Sequence, residues 1–177
     1  MQLTEREFWA LIHGMVLGTL FLLAFGGGLA GLYSFREKFL TTEGVAERSP
    51  RLIFGTAVMA VVAWLTVIVG TWIVYPWYRA APPQGTTDFT NFPRSLLLAS
   101  PDTAEWHSFG MEWKEHVAFL APVLATAVAF ATLYYGAQLV RKGEIRRAML
   151  VFFTLAFAAA AIAGLFGALI TKAAPVA

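Results

Sequence analysis

The sequence predicts an all-α integral membrane protein: four transmembrane helices, with an outer amphipathic helical extension leading into the third. Three observations carry this. Only 14% of the 177 residues are charged, against about 25% in a soluble domain. Mean hydropathy is +0.65. Four uncharged runs, 8–33, 52–78, 116–140 and 148–171, each reach the ~20 apolar residues that cross a bilayer as helix. Lipid offers the backbone no hydrogen-bond partners, so each run must satisfy its own N–H and C=O groups as a helix. The length fits one domain over 1–177. There is no cysteine, which excludes disulfides, thiolate metal sites and haem attached through a CxxCH motif.

The first run is a retained span rather than a secretion signal. It opens on acidic residues, Glu5 and Glu7, it is too long for a signal h-region, and no small-residue cleavage pattern follows. Residues 34–51 form a charged loop. Tyr75-Pro76 and Pro82-Pro83 close the second run, and 82–95 reads as loop within the segment 79–115. Ser100-Pro101-Asp102 is a helix start, with serine as N-cap, proline at the first helical position and an acid in the first turn. From Pro101 the helix runs on into the third span for about 40 residues, roughly 60 Å, with Gly110 and Pro122 as places where it can bend. Residues 141–147 make a tight hairpin into the fourth span.

Charge sets the expected orientation. Arg36, Lys38, Arg48 and Arg51 in the first connection, with Arg141, Lys142, Arg146 and Arg147 in the last, are eight of thirteen basic residues. By the positive-inside rule these connections face the cytoplasm of a bacterial inner membrane, and both termini and segment 79–115 face the periplasm. Trp9, Trp72, Trp77, Trp106 and Trp113, with Tyr75 and Tyr78, form the aromatic belt of that outer side. The basic residues flank apolar runs, which is no nucleic-acid footprint.

The three histidines, His13, His107 and His116, all fall on the outer side. Ionisable groups in membrane spans are candidates for function. His13 lies early in the first span and His116 opens the third. Both spans run inward from there, which puts the two imidazoles at similar depth. They can take the axial positions of one haem b, with Gly14 and Gly18 giving a flat macrocycle room. The plainer reading of each is an interfacial side chain hydrogen-bonded locally; Glu112 stands one turn before His116. His107 and His116 are nine residues apart and point opposite ways on a straight helix. His107 with Met111 (i, i+4) shares a face and is a second candidate metal site. The same histidines also suit another metal or a pigment.

No HExxH, nucleotide-binding or hydrolase motif is present, so the expected role is electron transfer or structure rather than group-transfer catalysis. Gly14xxxGly18, Gly27xxxGly31, Ala160xxxGly164 and Ala163xxxGly167 are small-residue patterns for close helix packing. Thr66, Thr71, Tyr134, Tyr135 and Gln138 are polar groups at depth that suit a quinone pocket.

The four-span layout, with His13 in the first span against His116 at the start of the third, resembles the small four-helix membrane cytochromes b that anchor respiratory or periplasmic oxidoreductases. The resemblance implies one haem b near the outer face, relaying electrons between quinol and a periplasmic redox protein alongside other membrane subunits. Those families carry histidines on more helices; the second and fourth spans here have none, which argues against a two-haem wire across the membrane. The competing expectation is a cofactor-free structural or assembly subunit of a larger complex.

Overall fold

The structure is a computed structural model that describes residues 2–175; Met1, Val176 and Ala177 of the expected domain lie outside the described residues. Among the described residues there is no strand. Four helices are long and apolar enough to cross a membrane: Glu5–Ser34, Thr42–Arg79, Pro101–Val140 and Gly143–Ala173. The chain is a multi-pass membrane protein on that ground. A short helix, Pro93–Leu98, lies between the second and third.

Local chemistry explains the boundaries. Thr4 and Glu7 form a reciprocal capping box: the Thr4 hydroxyl accepts from the Glu7 N–H at 3.2 Å, and the Thr4 N–H donates to the Glu7 carboxylate at 2.7 Å. The second helix begins at Thr42, ten residues before its apolar run. The Thr41 hydroxyl accepts from the Gly44 N–H at 3.2 Å, and an exposed Glu47–Arg51 pair follows at 2.8 Å. The helix runs on through Pro50. Much of the segment 34–51, expected as loop, is therefore helix; only the stretch around the 3-10 turn Glu37–Phe39 is irregular.

The third helix starts as expected: the Ser100 hydroxyl accepts from the Asp102 N–H at 3.3 Å. It ends in a 3-10 turn, Gly136–Val140, where Gly136 adopts φ +48°. Arg146 closes that end by donating to the Leu139 and Val140 carbonyls, 2.8 and 3.2 Å away. In the loop before Pro93, the Asp88 carboxylate accepts from the Thr90 N–H and hydroxyl at 2.9 and 2.6 Å, which holds its pKa below the usual value.

The described residues divide into two compact units. One, the terminal unit, comprises residues up to Gly18, Leu65–Phe119 and the chain from Ala160 onward. Its apolar centre is Tyr78, Leu97, Met111, Ile170 and Ala174. The other, the hairpin unit, comprises Thr19–Trp64 and Leu120–Ala159. There Phe25 stacks on Phe157 with ring centroids 4.1 Å apart, and Phe153, fully buried, fits against Gly28 so closely that a Cβ would lie 2.6 Å from its ring. Ser49 is buried there too, and the fully buried polar groups are Thr56 and Thr132, whose hydroxyls meet at 2.7 Å. Each also reaches a carbonyl of its own helix.

Candidate functional site

The three histidines all belong to the terminal unit. So do three π turns, Ile12–Val16, Gly70–Val74 and Trp106–Met111. A π turn inserts a residue into the helical ladder, is rare, and occurs often at functional sites. His13 lies in the first and His107 in the third. The second opens at Gly70, against which His13 packs.

That packing is close. A Cβ on Gly70 would sit 2.7 Å from His13 Cε1, so glycine is what lets the imidazole approach the second helix. The Thr66 backbone also lies beside the ring. The imidazole Nδ1 is buried with no hydrogen-bond partner. A buried bare ring nitrogen is the atom that a metal-ligating histidine offers its ion.

Lys114 stands within electrostatic reach of this ring. Its ammonium donates to the Ala163 carbonyl at 3.2 Å, and a Cβ on Gly167 would lie 3.0 Å from Nζ. The Ala163xxxGly167 pattern therefore makes room for a lysine here. The pattern of uncharged runs does not point to Lys114, which precedes the third of them. Its one signal in the sequence is its place roughly four turns down a helix whose start is legible.

His116 has a different setting. Its side chain is 70% exposed, Nδ1 contacts the Glu112 backbone carbonyl at 3.0 Å, and the Glu112 carboxylate lies 3.4 Å away. The structure thus turns His116 to its own helix and His13 to Gly70, Thr66 and Lys114. Gly14 and Gly18 face open space: a Cβ at either would meet nothing within 4 Å.

His107 bridges two elements. Arg94 Nε donates to His107 Nε2 at 3.4 Å. A guanidinium cannot accept, so that nitrogen bears no proton, and Nδ1–H donates to the Tyr78 hydroxyl at 2.8 Å. Both ring nitrogens are engaged. Met111 belongs to the apolar cluster with Tyr78 and Leu97. Tyr78 is thus a neighbour of both members of the second candidate site. Nearby, Arg79 donates to the Tyr75 hydroxyl at 2.7 Å and lies 3.9 Å from Glu115.

Of the groups expected to line a quinone pocket, Thr66 serves His13, while Tyr134 is 70% exposed. Among the described residues no three or more His, Asp or Glu side chains converge to hold a metal ion; a haem iron, carrying four nitrogens of its own, needs at most two. No protein family, curated protein or solved structure matches the chain.

Proposed function

We propose that this chain is the membrane subunit of an electron-transfer complex, binding one haem b in the terminal unit and relaying electrons between quinol and a periplasmic redox protein. The observation that supports it is His13: an imidazole in an apolar helix, packed closely against Gly70 and buried bare at Nδ1. An unmet polar atom in such surroundings costs about 1–3 kcal/mol, and iron satisfies it. His116, tied only by an exposed contact to Glu112, would be the second residue to hold the haem. Gly14 and Gly18 leave an open face for a macrocycle. The Lys114 ammonium favours the more electron-rich, reduced state and so raises the potential. The eight basic residues of the two short connections favour an orientation with the terminal unit toward the periplasmic side of a bacterial inner membrane.

The test is a reduced-minus-oxidised absorption spectrum of the complex purified in detergent with its native partners. The reading expects a sharp low-spin haem b signal at about one haem per chain, lost in His13→Ala. A featureless spectrum, or a signal unchanged in both His13→Ala and His116→Ala, overturns it. One observation favours a second reading, a cofactor-free assembly subunit. The first span is the least buried of the four, and Gly14, Gly18, Gly26 and Gly27 along it meet nothing within 4 Å, as on a helix that packs against another subunit.

A further inference from the structure

The hairpin unit contains a half-open cleft of about 530 Å³ between the later part of the first span and the early part of the second, within the ~300–1,000 Å³ range of ligand sites. Glycines leave part of its lining as bare backbone: Gly27, Gly31 and Gly55 line it, and at Gly27 and Gly55 a Cβ would meet nothing within 4 Å. Leu23 and Val58 supply apolar walls. Charge enters with Arg48 and Arg51, both exposed. Arg51 is paired with Glu47 at 2.8 Å, which leaves the Arg48 guanidinium as the uncompensated charge. Close by in sequence, the lining residue Phe35 is followed by Arg36, whose buried Nε has no hydrogen-bond partner.

We infer that this cleft is a binding site for one anionic phospholipid of the surrounding bilayer. The pattern is that of a lipid: a mostly apolar trough, widened where glycines carry no side chain, for an acyl chain, with guanidinium groups where the phosphate would lie. Basic pockets between membrane helices recognise anionic headgroups in this way, and arginine suits phosphate through paired N–H donors. A zwitterionic lipid fills the trough equally well but gains less from Arg48. Selectivity should therefore follow the arginines and occupancy should follow the glycines. The inference does not depend on the haem reading, since none of its residues is in the terminal unit.

The test uses the full-length protein, stripped of lipid in detergent and offered equimolar phosphatidylglycerol and phosphatidylcholine, with retained lipid counted by native mass spectrometry. One phosphatidylglycerol per chain is expected in preference to phosphatidylcholine. Arg48→Gln and Arg51→Gln should each cut that preference by up to about fivefold, while Arg48→Lys with Arg51→Lys keeps most of it. Gly27→Leu with Gly55→Leu should fill the trough and abolish retention of both lipids, with helicity by circular dichroism unchanged. Four results overturn the proposal: equal retention of the two lipids, a preference that survives the double glutamine variant, displacement of the lipid by inorganic phosphate alone, or a lipid-free dimer in which a helix of a second copy occupies the cleft.

Discussion

The two units draw on the same four spans but differ in which polar groups they bury. In the hairpin unit the fully buried hydroxyls of Thr56 and Thr132 meet one another, the core around them is Phe153 against Gly28 with stacked phenylalanines, and the unmatched buried atom among the described residues is the Arg36 Nε. In the terminal unit, His13 Nδ1 and Glu115 Oε1 are buried without hydrogen-bond partners. Lys114 rests on a carbonyl, and three π turns interrupt the helices. Consistency across local and global preferences marks a region selected for stability, while local violations mark functional sites. By that criterion His13 and its neighbours in the terminal unit, and Arg36 in the hairpin unit, are the positions to test for function.

Stability measurements on the cofactor-free protein can break this contrast. Phe153→Ala removes a fully buried ring that Gly28 is shaped to receive, and should cost about 3–5 kcal/mol in thermal or denaturant unfolding in detergent. His13→Leu removes the bare nitrogen while keeping apolar bulk. Deleting an unsatisfied group gains about 1–3 kcal/mol, so stability should hold or rise. A loss comparable to that of Phe153→Ala would mean that His13 is a structural side chain, and the functional weight given to the terminal unit would fall with it.

A double-mutant cycle sharpens the same point at the closest contact. Gly70→Ala places a methyl group 2.7 Å from His13 Cε1. The ring must move away from Gly70, at about 1–3 kcal/mol for overpacking. In the His13→Ala background the same change should cost almost nothing, giving a coupling of similar size. Additive losses would show that Gly70 serves the π turn itself rather than the imidazole.

The architecture is legible in the sequence because its causes are local. Four uncharged runs fix four helices, and Ser100-Pro101-Asp102 announces the start of the third. At 34–51 the density of charge suggests irregular backbone, yet Thr41 caps a helix there and Glu47–Arg51 runs along it. Charge measures exposure to water, and an exposed segment can still be helical. The three histidines are legible as candidates, but their partners are not. A pairing of His13 with Gly70, or of His107 with Tyr78 and Arg94, depends on the rotation of each helix about its axis. The π turns reset that rotation by a residue, with no composition that flags them. Thr56 and Thr132 stay hidden for a related reason: 76 residues apart, each looks like any threonine in a membrane helix.

The smallest effect tests the best-matched polar group of the terminal unit. His107 is fixed by two neighbours, Arg94 donating to Nε2 and Tyr78 accepting from Nδ1. Tyr78→Phe keeps the ring in its apolar cluster and deletes only the acceptor, which should cost about 1 kcal/mol because His107 is half-buried and water can replace part of the bond. The informative readout is the tautomer. ¹⁵N chemical shifts of the imidazole should report the proton on Nδ1 in the parent protein and a mixture in Tyr78→Phe. If the parent shows the proton on Nε2, Arg94 is not its partner in the membrane. That nitrogen would then face outward, and His107, rather than His13, would be the imidazole with an unassigned role.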